Sequence, residues 1–176
     1  MSHIFFQDTY FTVYTDPAKQ EISWIRTHNE ALIVPVNDKG DVLLTIEPSP
    51  AFQAPTLLLP GGIVETNEEP EQAALRELQE EIGFTAARLD ALGELRPWSK
   101  YLALQSFVYL ARNLTPSRLE GDEGYPILVE AVPLADFERL IQAGRLLDAR
   151  AIAALYLARA FLQTSQENVA PESPIE

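Results

Sequence analysis

Three glutamates stand at positions where a helix would bring their carboxylates together. With about 100° of rotation per residue, Glu77, Glu80 and Glu81 fall on one side of a helix and spread over roughly 100°. An apolar stripe on the other side predicts that the back of the helix packs in a core. The stripe consists of Leu75, Leu78 and Ile82. Grouped carboxylates suit a hard cation such as Mg²⁺ or Mn²⁺, which would also cancel their mutual repulsion.

The residues around these glutamates are of kinds that could complete a site. Gly61 and Gly62 allow a tight turn before the helix and let a backbone carbonyl approach a cation. Arg76 is placed to pair with Glu68 and fix the loop, and Gly83 can end the helix in a left-handed cap. The alternative interpretation is a solvated acidic face without chemistry, which surface helices often carry.

The stretch from Gly62 to Phe84 resembles the Nudix box, Gly-x5-Glu-x7-Arg-Glu-U-x-Glu-Glu-x-Gly-U with U apolar, and matches it at every specified position. The fixed residues are Gly62, Glu68, Arg76, Glu77, Glu80, Glu81 and Gly83. At average residue frequencies, such a match arises by chance with a probability on the order of 10⁻⁸ per starting position. The resemblance therefore disfavours the solvated-face interpretation.

Membership of that family implies a Nudix-type α/β/α sandwich with a mixed sheet, and hydrolysis of a nucleoside diphosphate linked to another group. It implies Mg²⁺ (or Mn²⁺) as cofactor, bound by Glu77 and Glu81 with Glu80 and the Gly61 carbonyl nearby. Glu80 is also a candidate to position or deprotonate the attacking water. The resemblance assigns structural roles to Gly62, Glu68, Arg76 and Gly83.

The rest of the chain resembles the ADP-ribose pyrophosphatase branch, which includes the ADP compounds hydrolases. Residues 119–123 resemble the acidic loop that supplies a catalytic carboxylate there, with Glu123 the first candidate and Glu120 the next. The segment 148–150 resembles the start of the terminal helix of the branch. We expect ADP-ribose or another ADP-linked compound to be cleaved to AMP and a phosphorylated partner. Nucleoside triphosphates, dinucleoside polyphosphates or NADH are alternative substrates, and a non-catalytic nucleotide sensor is a second alternative.

Several positions outside the box concern the substrate. Candidate contacts are Arg26, Glu30 and Trp98. An aromatic residue beside a strand is also commonly part of a core, which is the alternative for Trp98. The chain departs from the branch pattern at residues 46–49, where arginine is frequent, in the loop 96–105, and at Tyr125, where an acid is frequent. We therefore expect substrate contacts of its own.

The periodicity predicts a mixed sheet covered by helices. Predicted strands are residues 10–15, 20–27, 30–36, 41–47, 56–60, 91–95, 103–112 and 127–132, and predicted helices are residues 69–83, 133–144 and 148–162. Residues 1–28 are expected to form a small N-terminal β extension that, by resemblance to the branch, exchanges strands in a homodimer. Residues 29–163 form the hydrolase domain, and residues 164–176 are expected to be a disordered tail.

The composition of the chain limits the classes of protein to which it can belong. The formal net charge of the 176 residues is −13, which would repel nucleic acid, so we expect a small-molecule nucleotide ligand and no nucleic-acid partner. Without cysteine there is no disulfide framework and no thiolate metal site. The absence of 18 consecutive apolar residues and of a basic leader predicts no membrane association and a cytoplasmic location.

Overall fold

Three sheets carry the eleven strands found in the described part of the chain, residues 3–15, 23–121 and 124–167 of this computed structural model. The strands are β1 His3–Gln7, β2 Thr12–Thr15, β3 Ser23–Arg26, β4 Glu30–Pro35, β5 Asp41–Ser49, β6 Ala54–Leu58, β7 Gly61–Ile63, β8 Phe84–Leu95, β9 Leu102–Ala103, β10 Ser106–Pro116 and β11 Leu128–Pro133. The helices are α1 Pro70–Glu81, α2 Glu138–Gln142 and α3 Ala149–Glu167.

The central sheet is mixed, in the order β7-β4-β10-β8, because β4 and β10 run parallel while the other pairs are antiparallel. A second, antiparallel sheet has the order β11-β5-β6. Strand β4 is buried on both faces, as a near-continuous apolar run predicts. Its Leu32 and Val34 pack in a core with α2 and α3, and Ala31 and Ile33 pack in a second core with α1. The α/β/α sandwich is thereby confirmed.

The helix that carries the three glutamates begins at Pro70, where the missing proline N–H costs no hydrogen bond, and Gly83 follows it at φ +76°. Its buried face differs by one position from the predicted stripe. Leu78 and Ile82 are buried as expected, but Ala74 rather than Leu75 completes the row at intervals of four, and Leu75 is only half-buried. The buried stripe is therefore rotated by one residue position about the helix axis, because small side chains let α1 approach β4 closely.

Several predicted elements have different bounds; the strand predicted at residues 103–112, for example, is divided into β9 and β10, which runs to Pro116. Strand β8 begins at Phe84 instead of residue 91, because it pairs with β10 over nearly its whole length. Helix α2 is only Glu138–Gln142, since β11 continues through Pro133. Helix α3 runs to Glu167, so the first residues of the predicted tail are helical. There Thr164 and Ser165 donate hydroxyl hydrogen bonds to carbonyls four residues earlier. The remainder of the tail, residues 168–176, lies outside the described residues.

The N-terminal extension is a sheet of its own, in the order β1-β2-β3-β9. The strands predicted at residues 10–15 and 20–27 correspond to β2 and β3, which pair antiparallel, and residues 16–22 between them lie outside the described residues. Strand β1 was not predicted; it pairs with β2, and all five of its residues are exposed. Among the described residues, no helix combines the length and apolar character needed to cross a membrane.

Candidate active site

The loop before α1 is shaped by two glycines at places where a side chain would not fit. A Cβ on Gly61 would collide with the carbonyl of Ala31 on β4, and a Cβ on Gly62 would collide with the carboxylate of Glu77. The Gly61 N–H donates a hydrogen bond of 3.1 Å to Oε2 of Glu81. The two glycines therefore let β7 pair tightly with β4 and bring the loop against two of the glutamates.

Arg76 connects the loop to the helix through four hydrogen-bonding partners. Its Nε and Nη2 donate to the two carboxylate oxygens of Glu68 at 2.9 and 3.0 Å, which confirms the predicted pair. Its Nη1 also donates to Glu77 at 2.7 Å and to Glu80 at 3.0 Å, and Nη2 donates to the carbonyl of Ile63 at 2.9 Å. The hydrogen bond from Arg76 lowers the pKa of Glu68, and that bond likewise raises the already high pKa of Arg76.

The three helix carboxylates are of the right kind for a hard cation and are held in two groups. Glu81 is 4% exposed and accepts from Gly61, whereas Glu77 and Glu80 bond Arg76 at the rim of the helix. Among the described residues, no three acidic or histidine side chains are gathered closely enough to hold one ion. The donor set and the space that Gly62 leaves for Glu77 fit a divalent cation. Cation binding would require Glu77 and Glu80 to turn from Arg76.

The acidic loop after β10 lies against the end of α1. Its anchors are a backbone bond from Ser117 N–H to the Gly83 carbonyl at 2.9 Å and a side-chain bond from Gln79 to Ser117 at 2.7 Å. A Cβ on Gly121 would lie 3.5 Å from the Cβ of Glu80, so the loop reaches the carboxylate cluster. Glu120 is exposed on this loop. Glu123, the first candidate for the catalytic carboxylate, lies outside the described residues.

A cleft of about 470 Å³ opens between the N-terminal sheet and the starts of β4 and β10. It is lined by two guanidinium groups, Arg26 and Arg96, by the amides Asn29 and Gln105, and by residues 102–104 among others. Asn29 and Gln105 are bonded to each other twice, at 3.1 Å each, and the Asn29 carbonyl accepts from the Val64 N–H at 2.9 Å. The hydrogen bond from Val64 therefore links Asn29, a residue that lines the cleft, directly to the loop that precedes α1.

Arg26 is exposed and lies in this cleft, with its guanidinium carbon 5.4 Å from the ring centroids of both Tyr14 and Trp24. Trp98 is 66% exposed, which rules out the core alternative. It adopts φ +50°, a conformation unusual for a residue with a bulky side chain, and its ring centroid is 5.1 Å from that of Tyr101. Its neighbour Ser99 lines the cleft, so Trp98 belongs to the turn at the cleft's border.

Glu30 is engaged by other protein groups. Arg150 donates from Nη1 to both Glu30 oxygens at 2.8 Å, and Ser106 donates to Oε1 at 2.6 Å. Arg150 also binds Asp148, which caps α3 by accepting from the N–H groups of Arg150 and Ala151 at 2.9 Å each. Burial acts to lower the pKa of Arg150, but its bonds to the two acids outweigh burial and raise it. No local sequence pattern indicated that Glu30 and Arg150 would form an ion pair.

Comparison with known proteins agrees with this geometry. The NUDIX domain family model matches residues 26–155. The ADP compounds hydrolase NudE of Escherichia coli (strain K12) is 33% identical over 138 residues, 78% of this chain and 74% of that protein. The ADP-ribose pyrophosphatase of Bacillus subtilis (strain 168) is 28% identical over 135 residues, 76% of this chain and 72% of that protein. A crystal structure of an ADP compounds hydrolase superimposes with a TM-score of 0.81 at 27% identity, covering 94% of this chain and 93% of the other.

Proposed function

The chain belongs to the NUDIX domain family and is a hydrolase, and from that premise we propose that it cleaves the pyrophosphate bond of ADP-ribose or another ADP-linked compound. The products would be AMP and a phosphorylated partner, and the cofactor would be Mg²⁺ or Mn²⁺. The observation that carries the proposal is the arrangement of Glu77, Glu80 and Glu81 around Arg76 and Gly61. A cleft large enough for a nucleotide is linked to the loop before the helix through Asn29 and Val64.

The roles proposed for the residues of the box follow from the resemblance to the Nudix family. Glu77 and Glu81, with Glu80 and the Gly61 carbonyl, would hold the cation. When bound, a divalent cation lowers the pKa of a coordinated water and neutralises charge on phosphate oxygens. The Arg76–Glu68 pair, with Gly62 and Gly83, would hold the loop and the helix in a fixed relation to each other. For the carboxylate that orients or deprotonates water we propose Glu80 or Glu123, with Glu120 next.

The cleft is the proposed place for the nucleoside part of the substrate. Arg26 supplies a cation for phosphate, and the exposed ring of Trp98 offers a stacking surface at the border. Arg96 is a further cation there that the sequence did not single out. For Glu30 we propose contact with substrate from the cleft floor beside Asn29. Because Arg150 and Ser106 fix both of its oxygens, Glu30 would act in one preset orientation.

We propose in addition that the chain forms a homodimer through its N-terminal sheet. Strand β1 carries apolar side chains on both faces, and they are exposed: Ile4 by 56%, Phe5 by 78% and Phe6 by 50%. Exposed apolar residues grouped in this way are typical of a protein interface. Analytical ultracentrifugation of the wild type and of Phe5→Ser tests this. A monomeric wild type would contradict the dimer without bearing on the hydrolysis.

Hydrolysis of a nucleotide panel with resolved products tests the proposed reaction. The panel contains ADP-ribose, ADP-sugars, NADH, diadenosine polyphosphates and nucleoside triphosphates, each with Mg²⁺ and with Mn²⁺. We expect AMP to appear fastest from ADP-ribose or an ADP-sugar. Release of inorganic pyrophosphate from triphosphates as the fastest reaction would overturn the substrate assignment. Binding without turnover of any compound would favour a nucleotide sensor.

A further inference from the structure

Strand β5 places a carboxylate, that of Glu47, on the same side of the sandwich as α1. Leu43 packs in the core that contains Leu78 and Ile82 of α1. The pairing of β5 with β11 and β6 shows no register shift between residues 41 and 49, so side chains alternate regularly. Thr45 and Glu47 therefore follow Leu43 on the face toward α1, while Leu44 faces the other core.

The carboxylate of Glu47 is held in a fixed orientation by two hydroxyl groups. Thr45, which is fully buried, donates to Oε1 at 2.6 Å, and Tyr125 donates to Oε2 at 3.3 Å. Each carboxylate oxygen can accept two hydrogen bonds, so both keep acceptor capacity in addition to these bonds. A charged side chain oriented in advance loses little conformational entropy when a ligand binds.

Tyr125 also places Glu47 near the box glutamates, because it follows the acidic loop. Gly121 of that loop lies near Glu80, since a Cβ on it would be 3.5 Å from the Glu80 Cβ, and four residues of extended chain reach at most about 14 Å. The far end of the loop, bonded to Glu47, is thus within about 14 Å of Gly121, which lies beside the helix that carries the glutamates. The residues that line the nucleotide-sized cleft come from none of β5, β6 and β11. The cleft and Glu47 therefore approach the box from different parts of the fold.

We propose that Glu47 is a specificity-determining residue that faces the group attached beyond the scissile pyrophosphate. This inference rests on the proposed function and deepens it. A fixed carboxylate accepts hydrogen bonds from the hydroxyls of a sugar. The same negative charge repels a further phosphate in that position. Glu47 thereby favours a substrate in which a hydroxylated, uncharged unit is attached to the second phosphate over a nucleoside triphosphate, which carries a third phosphate there.

The test compares kcat/KM for ADP-ribose and for ATP in the wild type and in Glu47→Gln. The amide can still accept the bond from Thr45, so the change removes charge with little change of shape. We expect the preference for ADP-ribose over ATP to fall by about tenfold, mainly through faster ATP cleavage, as expected when a like charge is removed. Glu47→Asp, which keeps the charge, should retain most of the discrimination against ATP.

Glu130→Gln is the matched control. Glu130 is a carboxylate in the same sheet, and it pairs with Leu44 and so lies on the opposite face, bonded to Arg145. An equal change of the substrate ratio in Glu47→Gln and in Glu130→Gln would overturn the inference. Equilibrium binding of ADP-ribose and ATP in metal-free buffer separates it from the proposed function. If neither is hydrolysed but Glu47→Gln shifts their relative affinities, the proposed hydrolysis fails and the role of Glu47 stands.

Discussion

Arg76 and Arg150 each join two or more carboxylates, but over very different distances along the chain. Arg76 bonds Glu68, eight positions away, together with two glutamates of its own helix. Arg150 bonds Asp148 two positions away and Glu30 at a separation of 120 positions. The first cluster belongs to one loop and one helix, whereas the second ties α3 to the starts of β4 and β10.

The difference separates a cluster proposed to bind the cation from one that holds the fold together and, with it, the orientation of Glu30. Around Arg76 the carboxylates belong to one helix and the loop before it, and they lie next to the loop glycines, as the proposed cation site requires. Around Arg150, Asp148 accepts hydrogen bonds as the cap of α3, Glu30 accepts one from the buried Ser106, and both acids accept from the guanidinium of Arg150. Removing a charge from the Arg76 cluster should therefore lower turnover, whereas removing one from the Arg150 cluster should lower stability.

The largest effect is expected from Glu81→Gln in the first cluster. Loss of one cation-binding charge should lower kcat by roughly a thousandfold or more. Folding should persist, because the amide oxygen of the substituted side chain can still accept from Gly61 and a buried charge is removed. Steady-state kinetics and thermal unfolding measure both. Glu71→Gln, an exposed glutamate in the first turn of the same helix, is the control and should keep kcat within about twofold. Turnover near wild type in Glu81→Gln would remove the chemistry from this cluster.

A smaller effect, on stability, is expected from Arg150→Met in the second cluster. The change leaves Glu30 and Asp148 without their cation, at a cost of about 2 kcal/mol, between the values for exposed and buried pairs. The melting temperature should fall by about 4–8 °C. Adding Glu30→Gln to Arg150→Met should recover part of the loss, which a double-mutant cycle measures. If Arg150→Met instead lowers kcat as strongly as Glu81→Gln with an unchanged melting temperature, the assignment of this cluster to architecture is wrong.

The smallest expected effect is the change in the stability of the fold when acid protonates carboxylates of the two clusters. Burial acts to raise the pKa of Asp148, but the bond to Arg150, the charge of Arg150 and the two backbone N–H groups together outweigh burial and lower it. The bond from Arg76 lowers the pKa of Glu68. A carboxyl with a depressed folded pKa contributes stability that is fully present above its unfolded pKa, near 4, and is lost as the pH falls through the folded value. Urea unfolding between pH 6 and pH 3 should show a shallower loss of stability in Asp148→Asn than in the wild type. Parallel curves would contradict the depressed pKa of Asp148.

The same contrast in sequence separation explains what the sequence could predict. The positions of Glu77, Glu80 and Glu81 and the Glu68–Arg76 pair follow from helical periodicity and a short loop, so they were accessible without the fold. The meeting of Glu30, Ser106 and Arg150 depends on β4 and β10 pairing in parallel, which no local pattern specifies. Leu75 was predicted to be buried because a stripe of large apolar residues was preferred. The structure buries Ala74 instead, since a small residue permits close packing. Strand β1 was missed because its apolar residues do not alternate with polar ones.

The bonds from Arg76 to Glu77 and Glu80 bear on the order of events when the protein is made. In domains that a metal holds together, the chain remains unfolded until the ion arrives. Here a cation supplied by the chain itself already balances two of the box glutamates, and Glu81 is satisfied by a backbone N–H. We therefore expect the chain to complete its fold without a divalent ion, so that a chelator should leave the folded structure in place.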